Sequence, residues 1–116
     1  GGISELKILL YIRNRSMKSV NQIKILDKVP HIADLHEEVI IGTLKPNKIL
    51  KDSKRGTLVE WEIPMLEGYE ERIISYKIKS KLSILGFFNM PAAILKFKKD
   101  NRIKTVQSNK IKAAFK

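Results

Sequence analysis

The chain has 116 residues, 43% of them apolar and 30% charged, with no cysteine and a formal net charge of +11. These numbers fit one globular domain that buries a core unaided, and they exclude a disulfide scaffold, a thiolate metal site and a cysteine nucleophile. No apolar run approaches the ~18 residues that span a bilayer, no opening stretch reads as a secretory leader, and Gly1-Gly2 is what a cleaved tag leaves, compatible with a piece of a longer protein.

Period-two alternation runs through the sequence and predicts strands. In Glu5 to Arg13, Leu6, Ile8, Leu10 and Ile12 share one face. Asn14 to Lys18 is polar enough to turn. Val20 to Asp27 resumes as a strand with Ile23 and Ile25 inward, and Pro30 stops it because proline donates nothing to a ladder. Ile32, Leu35 and Val39 have loosely helical spacing, so one short helical turn is compatible with residues 31–38. Val39 to Ile41 reads as a short strand ended by Gly42 and Pro46. Lys48 to Lys51 and Thr57 to Ile63 flank a glycine-containing loop and read as a hairpin, with Val59, Trp61 and Ile63 inward.

Pro64 and Gly68 bracket a corner, where glycine is expected to supply a positive φ. Glu71 to Leu82 sets Ile74, Tyr76, Ile78 and Leu82 against Lys77, Lys79 and Lys81. Gly86 and Pro91 punctuate a loop that holds Phe87, Phe88 and Met90. Ala92 to Lys98 opposes Leu95 and Phe97 to Lys96 and Lys98. Asp100-Asn101 turns the chain into Ile103 to Ser108, and residues 110–116 read as a basic C-terminal tail. About seven or eight antiparallel strands at this spacing, with no sustained helical period, predict an all-β sandwich over residues 3–109.

Several segments resemble immunoglobulin-like repeat modules of archaeal and bacterial proteins, many of them surface or exported. Asn14-Arg15-Ser16 with Ile25-Leu26-Asp27-Lys28-Val29-Pro30 is similar to their opening. Val59-Glu60-Trp61-Glu62-Ile63, Leu66-Glu67-Gly68-Tyr69 and Ile74-Ser75-Tyr76 resemble their tryptophan strand, corner and tyrosine strand. Met90-Pro91-Ala92-Ala93 and Val106-Gln107-Ser108-Asn109 resemble their closing segments. The resemblance implies an immunoglobulin-like sandwich that binds a protein partner or a neighbouring domain; it assigns no activity and no cofactor. The basic, lysine-rich composition departs from the acidic, threonine-rich members found on cell surfaces. Trp61 and Tyr76 are expected in the core, the tyrosine hydroxyl beside backbone groups at the corner.

Nothing in the sequence announces catalysis. His31 and His36 near Asp34, Glu37 and Glu38 are the one group with metal-ligand chemistry, and they equally suit a solvated loop. No serine sits in a nucleophile elbow and no phosphate-loop motif occurs. Glu60 and Glu62 share one face of a strand.

Charge placement points further. Residues 1–71 carry equal numbers of acidic and basic side chains, whereas residues 72–116 contain one carboxylate, Asp100, and hold the whole excess. If the strands around 72–82 and 92–98 pair, Lys77, Lys79, Lys81, Lys96 and Lys98 share one outer face. Either the carboxylates of a neighbouring strand offset that repulsion or an external anion does. Non-specific nucleic-acid binding is thus the alternative to a protein partner, although an aromatic stacking platform is missing. Phe87, Phe88 and Met90 form a second candidate, either an exposed interface loop or a plug over the core end.

Overall fold

The computed structural model describes residues 4–29, 37–52, 55–80, 87–109 and 111–114. Among them the chain is all-β. The strands are β1 (Ser4–Arg13), β2 (Val20–Val29), β3 (Glu37–Ile41), β4 (Lys48–Asp52), β5 (Gly56–Leu66), β6 (Glu71–Ser80), β7 (Phe87–Met90), β8 (Ile94–Lys99), β9 (Arg102–Gln107) and β10 (Ile111–Ala114).

Two sheets face each other as a sandwich. A three-stranded sheet has the order β1-β6-β3, and a five-stranded sheet has the order β4-β5-β2-β8-β9. All pairings are antiparallel. The alternating apolar positions meet between the sheets: Ile8, Ile12, Ile74, Tyr76 and Ile78 from one, and Ile23, Ile25, Val59, Trp61 and Ile63 from the other. The Trp61 and Tyr76 rings, both 0% exposed, meet across the sandwich at 5.6 Å between centroids. Burial of side chains this large dominates the stabilisation, each contributing about 2–3 kcal/mol or more.

Local chemistry explains the irregular points. Asp100 and Asn101 have φ of 52° and 60° between the paired Lys99 and Arg102. That is a two-residue hairpin in the turn type whose twist matches the strands, and Asp and Asn tolerate the left-handed region. Gln22 has φ 50°, and the β2–β8 register shifts between Asn21 and Lys24. This bulge resets the alternation, so that Val20 and Ile23 both point inward. By register Gln22 stands opposite Pro64 of β5, which places the residue lacking an N–H where the ladder is already interrupted.

Three expectations change. The corner at Leu66-Glu67-Gly68 does not use a positive φ at glycine; Tyr69 adopts it, at 59°. Gly68 is needed for close approach instead, because a Cβ there would overlap the Met17 carbonyl. The stretch 87–90 is a strand rather than a loop, and it pairs with Ile111–Ala114 inside the segment expected to be a free basic tail. Two four-residue strands so far apart in sequence show neither alternation nor a hairpin turn, so periodicity misses them. Residues 31–36 of the expected helical turn lie outside the described residues, and Glu37 and Glu38 belong to β3.

Candidate interaction surfaces

The expected five-lysine face does not assemble. Lys77 and Lys79 are on β6 and Lys96 and Lys98 are on β8, in different sheets, so the two pairs belong to opposite sides of the sandwich. The reason is topological: β6 is central in its sheet, with both edges taken by β1 and β3. Lys77 also has a partner, Glu5 on β1, at 3.1 Å. Lys81 lies outside the described residues.

Lys96 and Lys98 instead join a different group. On the outer face of the five-stranded sheet an open groove of 770 Å³ is bordered by Lys24, Lys45, Lys96 and Lys98, with Glu62 as its carboxylate. Lys24 stands directly opposite Lys96 across β2–β8 and opposite Glu62 across β2–β5. Glu60 answers part of the charge. It lies 3.8 Å from Lys24 and accepts a hydrogen bond from the Asn47 side chain. Lys24 was legible from strand parity, whereas Lys45 arrives from a loop that no spacing rule places.

The other surface lies where the sheets differ in width. β1 pairs with β6 on one edge only, and among the described residues no strand takes its other edge. The five-stranded sheet extends past that edge and exposes the inner face of β8 and β9. Two connected grooves of 360 and 610 Å³ run between β1 and this overhang, both bordered by Tyr11, Ile12, Leu95 and Val106. Leu95 and Phe97 are only partly buried against the core, and Val106 is 53% exposed. On the outer side of β1, Leu9 is 44% and Tyr11 65% exposed. The larger groove also holds Arg13, Arg15, Lys99 and Lys104 and no carboxylate. Arg13 is paired with Glu71 at 3.1 Å. For Arg15, Lys99 and Lys104 the described residues offer no ion-pair partner.

The residues behind the family resemblance hold the fold. Asn14 is buried; its side-chain amide donates to the carbonyls of Lys18 at 2.7 Å and Glu67 at 3.0 Å, and its oxygen accepts from the Ser16 N–H and hydroxyl. The Tyr76 hydroxyl donates to the buried Asp27 carboxylate at 2.5 Å, not to the backbone groups expected. The other Asp27 oxygen accepts from the Lys28 N–H. Burial pushes the Asp27 carboxyl up from its usual range against those two bonds; burial and the Asp27 charge also push the Tyr76 hydroxyl up. With both carboxylate oxygens engaged, this pair closes the core. The Trp61 indole donates to the Leu44 carbonyl, and the Ser108 hydroxyl accepts from the Ala93 N–H.

Met90 is buried in the core, as a plug would be; the side chains of Phe87 and Phe88 lie outside the described residues. The same holds for His31, Asp34 and His36, and among the described residues no group of three His, Asp or Glu could hold a metal. Nor is any described helix long and apolar enough to cross a membrane. No family model, curated protein or solved structure matches this chain.

Proposed function

We propose that the chain is a non-catalytic interaction module, an immunoglobulin-like sandwich that holds a protein partner or a neighbouring domain of a larger, archaeal protein. The observation that carries this reading is the edge of the ten-residue β1 that no strand among the described residues takes, beside an apolar-floored groove. A long, flat strand edge with exposed apolar side chains is an aggregation hazard unless something covers it. A photo-crosslinking residue at Tyr11 tests this. It should give one discrete adduct with a cellular protein, saturable by excess unlabelled chain. The same label at Leu50, 52% exposed on β4 at the other edge of the larger sheet, should not. No adduct, or equal adducts from both sites, sinks the reading.

The lysine groove on the opposite side favours a second reading, polyanion binding without sequence preference. Phosphate contacts through Lys24, Lys45, Lys96 and Lys98 would make it steeply salt-dependent. The four-fold Gln variant should leave a heparin column at clearly lower salt; unchanged elution removes this reading.

A further inference from the structure

Resting on the interaction-module reading, we infer that the β1 edge takes an extended segment of another protein, one whose inward side chains are apolar along most of its length and acidic at the end beside Arg13, and which joins the smaller sheet as a fourth strand. Three features of this edge specify that occupant.

The first is the backbone. Alternate residues of an edge strand aim both N–H and C=O away from their existing partner, so β1 offers a ladder along its length. An added strand satisfies it, the mode in which main-chain bonds give affinity and side-chain pockets give specificity. The second is the floor. A strand laid beside β1 covers the overhanging inner face of β8 and β9. Its inward side chains would then meet Leu95 and Phe97, which the core covers only in part, and Val106, which is 53% exposed. Along this stretch the occupant's inward residues, every second one, are therefore apolar.

The third is charge. Lys99 stands directly opposite Arg102, and Phe97 directly opposite Lys104, so the inner face of this hairpin ends in cations. Like charges directly opposite are destabilising on their own. Arg15 reaches the same groove. Inward carboxylates at the end of the occupant beside Arg13, where the groove holds Arg15, Lys99 and Lys104, would answer these groups. A second copy of this chain fits less well, because its net charge of +11 brings repulsion.

The probe is a synthetic peptide as long as β1 that alternates valine with threonine and carries glutamate in place of the valines at one end, made in both orientations. It is compared with the same peptide carrying glutamine for glutamate, the same peptide carrying lysine, and one N-methylated at alternate amides. Amide hydrogen exchange of the whole chain reports the site. The acidic peptide should slow exchange in Glu5–Arg13 and leave the β4 edge unchanged, and the N-methylated one should not. Lys99→Gln with Lys104→Gln should weaken the acidic peptide roughly three- to tenfold and reduce its salt dependence, without shifting the thermal midpoint by more than a few degrees. No slowing at β1, slowing at another edge, or equal binding of the lysine peptide overturns the inference. So does a β1 edge that is already protected by self-association. Tyr11 adducts with a cellular protein alongside equal binding of the neutral and acidic peptides would leave the module reading standing and discard the acidic occupant.

Discussion

Tyr76 and Asp27 are joined across the two sheets, so the pair links strands that share no backbone bonds. Tyr76→Phe removes the hydroxyl and leaves a buried carboxylate with one bond fewer; a loss of about 2 kcal/mol in chemical denaturation is expected. The effect depends on pH with a defined sign. The Asp27 carboxyl is raised above 3.8 in the folded chain, so its bound proton contributes stability fully below that value. That contribution is lost as pH rises through the folded value. Removing the Tyr76 bond, which favours the carboxylate, raises the folded value further. The penalty of Tyr76→Phe should therefore be larger near neutrality than below pH 3.8; a penalty that shrinks toward neutrality contradicts this account. Asn14→Ala tests the other knot. It removes one donor each from the Lys18 and Glu67 carbonyls, which keep the Ser16 hydroxyl and the Glu70 N–H, and leaves the Ser16 N–H without its acceptor; a cost of about 1–2 kcal/mol follows.

Among the elements, the turns are where single side chains decide geometry. Asn101→Val places a β-branched residue at φ 60° and should cost about 1–2 kcal/mol, read as a lower unfolding midpoint. Gly68→Ala drives a methyl into backbone, and overpacking of this kind costs about 1–3 kcal/mol. A neutral Gly68→Ala would show that the Met17 turn yields freely. These elements also mark how far the sequence could be read. Alternation in β1, β5 and β6 named their buried faces, Trp61 included, and Asp100-Asn101 marked its hairpin. The same hairpin, counted back from its turn, puts Lys104 beside Phe97 on the inner face, a signal that was present and unused. Sheet membership was not legible. β6 and β8 both alternate lysine with apolar residues, and nothing local tells that β1 and β3 have already taken both edges of β6. That missing long-range information is why five lysines looked like one face.

For the whole molecule, the dominant electrostatic fact is self-repulsion. The exposed pairs Arg13–Glu71, Arg72–Glu70 and Lys77–Glu5 each contribute at most about 1 kcal/mol and weaken in salt. A net charge of +11 opposes compactness everywhere. Raising sodium chloride from low to physiological levels should therefore raise the calorimetric midpoint; a midpoint that falls would mean that the ion pairs outweigh the repulsion.

The pairing of β1 with β6, from Ser4 opposite Ser80 to Arg13 opposite Glu71, also has a consequence in time. The β4–β5 and β8–β9 hairpins close between neighbours, but β1 must wait for a partner made much later. At roughly 5–20 residues per second of synthesis, the strand carrying Leu6, Ile8, Leu10 and Ile12 spends several seconds with neither edge satisfied. Among the described strands, the one with an edge left untaken in the finished fold is thus also the one longest without any partner while the chain is being made, and a ribosome-bound chain ending before Glu71 should be the form that aggregates or recruits a chaperone.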